Sequence, residues 1–156
     1  AALFKILRGE RPAFTFPGTP NDHPGLADGQ LMGGNLAVIA ELINTPFDII
    51  KPDTILFIEE VSEPIYKVER IMYQLQLSGV LQRLKGIIFG QFTEYKSDRN
   101  HTYMEDMLRE MTVSCDCPIA YNAPIGHVFH NIPVIEGADV TLKVTANAEN
   151  HLIYWQ

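Results

Sequence analysis

Two uninterrupted apolar runs constrain this chain more than anything else in it. Residues 54–58 (Thr-Ile-Leu-Phe-Ile) and residues 85–92, centred on Ile87, Ile88 and Phe89, show no alternation of polar and apolar positions. A strand without alternation is covered on both faces, as strands of a parallel sheet are beneath their crossover helices. Helical spacing appears between and around these runs. Residues 35–44 bring Leu36, Ile39, Leu42 and Ile43 together after the Gly33-Gly34 pair, with Asn35 as the expected N-cap. Residues 64–77 align Ile65, Val68, Met72 and Leu75, with Ser62 as the expected cap, and residues 102–113 align Met104, Met107, Leu108 and Met111.

The two ends of the chain read differently. In the first 30 or so residues, glycines and prolines from Gly9 to Gly29 recur too often for a long element, leaving room only for short strands at 13–16 and 30–32. Near the other end, Val140, Leu142 and Val144 alternate with Thr141, Lys143 and Thr145, the pattern of a half-solvated strand. A turn over 146–150 would lead into a last strand at 152–155. Residues 118–121 form a further short strand. The expectation is one α/β domain over 1–156, with a mixed sheet, about three helices and a C-terminal β-hairpin.

At 156 residues the chain can bury one real core, and 46% hydrophobic with 20% charged residues is a globular balance. A net charge of −7 argues against nucleic acid as a partner, because phosphate binding needs clustered Lys and Arg. No apolar run approaches the ~20 residues of a membrane span. Cys115 and Cys117 are too close for an unstrained disulfide and too few for a zinc knuckle, so reduced thiols in a cytoplasmic protein are expected. The chain starts at Ala1 without an initiator Met, consistent with a fragment, a processed product or an excised domain.

Chemistry concentrates at two places. The run 54–58 leads directly into Glu59 and Glu60, and in open α/β sheets sites gather at the carboxyl ends of strands. The competing reading is that Glu60 and Glu63 merely place negative charge near the start of the next helix. Spacing leaves open which of Glu59 and Glu60 points inward. Far along the chain, the loop 123–131 (APIGHVFHN) presents His127 directly after Gly126. A carboxylate and a histidine are the orienting acid and general base of a hydrolytic triad. His130 raises a metal-binding alternative with His127, but the spacing and the loop context fit zinc ligation poorly, and no metal or cofactor is expected. The four serines, Ser62, Ser78, Ser97 and Ser114, lie in no nucleophile elbow.

The segments Gly33-Gly34-Asn35-Leu36, ILFIEEVSEPIYKVERIMYQL, LKGIIFGQF and APIGHVFHNIPVIEGADVTL resemble, in this order and spacing, the C-terminal half of the LD-carboxypeptidase family. That family includes murein tetrapeptide carboxypeptidases and microcin C self-immunity proteins, and the resemblance spans roughly residues 29–145. It implies a swivelling β/β/α fold and a Ser-Glu-His triad divided between two domains. The glutamate matches Glu59 and the histidine His127, while the serine belongs to an N-terminal flavodoxin-like domain absent from this chain. The implied parent is a serine carboxypeptidase that releases D-alanine from murein tetrapeptide in cell-wall recycling. The implied partners are the serine domain and the murein peptide, with a homodimer as an open option. The isolated chain is expected to be inactive. The alternatives are a non-catalytic binding module of the same fold and a microcin-type amide hydrolase.

Overall fold

A computed structural model describes residues 2–145 and 147–156. In chain order the elements are α1 (Ala2–Leu7), β1 (Phe14–Pro17), β2 (Gly25–Asn35), α2 (Leu36–Leu42), β3 (Thr54–Val61), α3 (Ile65–Leu77), α4 (Val80–Arg83), β4 (Gly86–Thr93), α5 (Met104–Met111), β5 (Ile119–Ala120), β6 (Asp139–Val144) and β7 (Glu149–Tyr154). The seven strands form one mixed sheet in the order β1-β7-β6-β2-β3-β4-β5. β2, β3, β4 and β5 run parallel, and β1, β7 and β6 join the β2 edge antiparallel.

The unalternating runs are the two central parallel strands. Alternate residues of β3 enter different cores: Leu56 and Ile58 pack with α2, α3, α4 and α5, and Ile55 and Phe57 pack with β1, β6 and β7 on the opposite face. The helix-side core holds the fully buried stripe Ile65, Val68, Met72 and Leu75 of α3. Each such aliphatic side chain contributes about 1.5–3 kcal/mol on burial. All the crossover helices thus cover one face, and the second core lies on the other, lined by β1, β6 and β7 with Ala2 and Ile6 of α1 packed against it.

Two local expectations are corrected. β2 runs 11 residues from Gly25, where a short strand near 30–32 was expected, because both its edges are paired: β6 along Gly25–Gln30 and β3 along Gln30–Asn35. Shared pairing outweighs the strand-weakening effect of Gly29 and Gly33. The segment just before it carries no long element, as read, and is held in place by buried Asp22, which accepts from the Asn150 amide (2.7 Å) and the Tyr121 N–H (2.9 Å). Finally, Ser62 does not cap α3. Pro64 is the N-cap, and Ser62 sits at φ 64° with its hydroxyl donating to Glu94. Two short helices, α1 and α4, add to the three expected. The hairpin forms, but β7 begins at Glu149, inside the turn expected over 146–150, because β1 pairs with it there, and it ends at Tyr154; Ala146 of that turn lies outside the described residues.

Candidate active site

Adjacent residues of a strand face opposite ways, so Glu59 and Glu60 part at the carboxyl end of β3. Glu60 takes the helix side. Its carboxylate accepts from the Asn35 side-chain amide (2.7 Å), the Ala37 N–H (3.0 Å) and the Val61 N–H (3.0 Å). It therefore serves the start of α2, with Asn35 capping the same helix through the Val38 N–H, and not the start of α3 as local sequence suggested.

Glu59 takes the other side, where the β5–β6 loop passes. The Glu59 Oε2 atom lies 2.8 Å from His127 Nδ1. A carboxylate only accepts, so Nδ1 carries the hydrogen and Nε2 is left as the basic nitrogen. Burial is asymmetric: the Glu59 side chain is 8% exposed and that of His127 62%. The hydrogen bond from Nδ1 to Glu59, and then the charge of Glu59, raise the His127 pKa above its ordinary value, with smaller contributions from Glu60 and Glu94.

Gly126 and several residues not singled out from sequence hold this geometry. Between Ile58 and Glu60 the β3–β4 register slips, so that Gly90 and Gln91 together stand across from Glu59. Such a bulge re-aims the side chain beside it. The Gln91 N–H donates to the Ile125 carbonyl (2.8 Å), and its side-chain amide donates to the carbonyls of Asn122 (2.9 Å) and Ala123 (3.0 Å). The Ala123 N–H in turn donates to Phe89, so the loop leading to His127 is sewn along β4. Gly126 has φ +135°, and a Cβ there would lie 3.2 Å from both Cβ and Oε2 of Glu59. The conformation of Gly126 favours glycine, and an added Cβ would crowd Glu59. The signal for Gly90 was legible as a glycine inside a buried strand, which marks a bulge or a close backbone approach.

Other candidates fall elsewhere. Glu59 is the sole hydrogen-bond partner of the His127 ring among the described residues. The Ser62 hydroxyl is 2.7 Å from Glu94, and the Ser78 hydroxyl donates to Leu75 at the end of α3. Burial pushes the Cys117 thiol up to about 11, far from thiolate chemistry. Among the described residues, His127, His130 and Glu59 do not gather as three metal-ligating atoms. A cleft of about 290 Å³ lined by Gly90, Phe92, Tyr95, Tyr103 and Asn122 lies nearby, but neither Glu59 nor His127 lines it. The ring of His127 stands on open surface, while its Glu59 partner is buried beneath it.

Residues 28–142 match the family model described as the LD-carboxypeptidase C-terminal domain. The chain belongs to the LD-carboxypeptidase family. Among relatives, it is 32% identical over 123 residues to a Bacillus subtilis protein named a probable murein peptide carboxypeptidase, covering 77% of this chain and 38% of that protein. It is 31% identical over 110 residues to the murein tetrapeptide carboxypeptidase of Pseudomonas aeruginosa, covering 70% and 36%. Among solved structures, muramoyltetrapeptide carboxypeptidase from Oxalobacter formigenes superimposes with a TM-score of 0.86 at 26% identity, over 99% of this chain and 53% of that one. The microcin C7 self-immunity protein gives a TM-score of 0.80 at 20% identity, a likeness of fold. The chain spans little more than a third of the length of these curated relatives. Its mixed sheet with helices on one face is the LD-carboxypeptidase domain fold expected from sequence.

Proposed function

We propose that this domain supplies the acid–base half of a serine-type LD-carboxypeptidase that releases terminal D-alanine from murein tetrapeptide. One observation carries the reading: a buried carboxylate at the end of a parallel strand holds the Nδ1 of an exposed histidine at 2.8 Å. In this mechanism His127 Nε2 accepts the proton of a serine hydroxyl as the oxygen attacks the scissile carbonyl. The same nitrogen then donates that proton to the departing amine of D-alanine. Glu59 fixes the tautomer and stabilises the imidazolium that forms in between. The serine and its oxyanion donors come from a separate N-terminal domain that closes over the open face of His127. The murein names of relatives at 31% identity support this substrate over the microcin type, whose structural likeness is one of fold.

The test is complementation. Purified alone, the 156-residue chain should release no D-alanine from murein tetrapeptide. Joined to the serine-bearing domain of a relative, it should do so, and His127→Ala in that joined protein should abolish release. Turnover by the chain alone would sink the division of the triad. A joined protein that binds the peptide without cleaving it would favour a binding module.

A further inference from the structure

A second histidine–carboxylate contact lies in a different part of the fold, between the loop after β4 and the helices α3 and α5. His101 Nε2 is 3.0 Å from Glu110 Oε2 on α5, and the His101 side chain is only 9% exposed. Since a carboxylate only accepts, Nε2 carries the hydrogen and the lone pair of the neutral ring falls on Nδ1. That Nδ1 is buried without a hydrogen-bond partner, and so is Asp98 Oδ2. The other oxygen of Asp98 is committed to the turn, accepting from the Asn100 N–H (2.8 Å) and the His101 N–H (2.9 Å). Glu69 of α3 completes the group: Glu69, Asp98 and His101 each offer a ligand atom, all within 4.8 Å of one another.

A nitrogen lone pair beside two carboxylates is unfavourable unless something positive stands between them. We infer that Glu69, Asp98 and His101 bind a divalent transition-metal ion, with zinc the ion whose donor preference fits best. One imidazole nitrogen with two carboxylate oxygens is a borderline donor set that zinc accepts, whereas calcium asks for six or more oxygens and magnesium for an all-oxygen octahedron. Glu110 has the place of the outer carboxylate that orients a metal-bound histidine through its other ring nitrogen. At metal–ligand distances of about 2.0–2.2 Å, donors around one ion stand at most about 4 Å apart, so closure asks for a side-chain adjustment of under about 1 Å. The ion would tie the loop after β4 to α3. None of its ligands belongs to the Glu59–His127 pair, so the inference stands apart from the proposed reaction.

Calorimetric titration of zinc into the metal-stripped 156-residue chain tests this. One ion per chain is expected, with calcium and magnesium binding far more weakly. Asp98→Asn and His101→Ala should each weaken zinc by at least about 100-fold, and Glu110→Gln by about 10–100-fold. Should His101→Ala fail to fold, Glu69→Gln on the half-exposed face of α3 carries the same expectation. His130→Ala and Cys117→Ser should leave the affinity unchanged. Absence of stoichiometric binding, or binding lost in these last two variants and kept in the first two, would overturn the assignment. In that case a second proton on His101 is what offsets the carboxylates.

Discussion

The two histidine–glutamate contacts in this domain are near copies in distance and opposites in burial. In one, Glu59 is buried and His127 faces outward at 2.8 Å; in the other, His101 is buried and Glu110 faces outward at 3.0 Å. The buried member decides what each pair can do. A sealed carboxylate cannot leave, so it fixes the tautomer of a ring whose second nitrogen reaches outward, which is the arrangement a general base needs. A sealed imidazole instead turns its second nitrogen toward the protein, where only a proton or an ion can meet it. The same two residue types thus give an outward-acting pair and an inward-holding one.

The sharpest way to break that contrast is activity in a protein that also carries the serine domain. His127→Ala should lower kcat for D-alanine release by about 10⁴-fold, and Glu59→Gln by about 10³–10⁴-fold, with KM little changed. Glu110→Gln should leave kcat within about twofold. Equal losses at Glu59 and Glu110 would show that burial does not separate the pairs.

Stability should rank the neighbouring glutamates the other way. Glu60→Ala removes the acceptor of three donors at a site only 4% exposed. Leaving such donors unpaired should cost about 3 kcal/mol, lowering Tm by roughly 6–12 °C in thermal melts. Glu59→Ala should lower Tm less, because its partner is an exposed ring that water can serve. Gly126→Ala comes next, at about 2 kcal/mol, since its φ of +135° suits glycine and the added Cβ crowds Glu59. A Gly126→Ala protein with unchanged Tm and unchanged His127 chemical shifts would remove Gly126 from the positioning argument.

Much of the fold was legible because the period of apolar residues survives into the structure. Ile65, Val68, Met72 and Leu75 line one stripe of α3, and Val140, Leu142 and Val144 alternate along β6. The N-terminal part was hidden because Gly25, Gly29 and Gly33 look like breaks when read locally, while their strand is stabilised by partners over 100 positions away and by β3. The site was legible in part. Strand alternation already implies that Glu59 and Glu60 diverge, yet which face meets His127 depends on where the β5–β6 loop crosses, and that is long-range information. The family resemblance, not spacing, pointed to Glu59. Gln91 carried no local signal at all, since a half-exposed glutamine at a strand end looks like any other until its carbonyl partners are in place.

The smallest effect to resolve is the proton equilibrium of each ring. The hydrogen bond to Glu59 raises the His127 pKa in the folded chain, and that to Glu110 does the same for His101. A histidine that binds its proton more tightly when folded adds stability that is fully present below the ordinary value of about 6.5. That contribution is lost as pH rises through the raised folded value. NMR titration of the metal-stripped chain should therefore place both rings above the ordinary value, with Glu59→Gln lowering only His127 and Glu110→Gln lowering only His101. Each variant should also flatten the part of the stability–pH curve that its own histidine governs. If Glu59→Gln left the His127 titration in place, the nearby Glu60 and Glu94 charges would be setting it, and the claim that one buried carboxylate governs the exposed ring would fail.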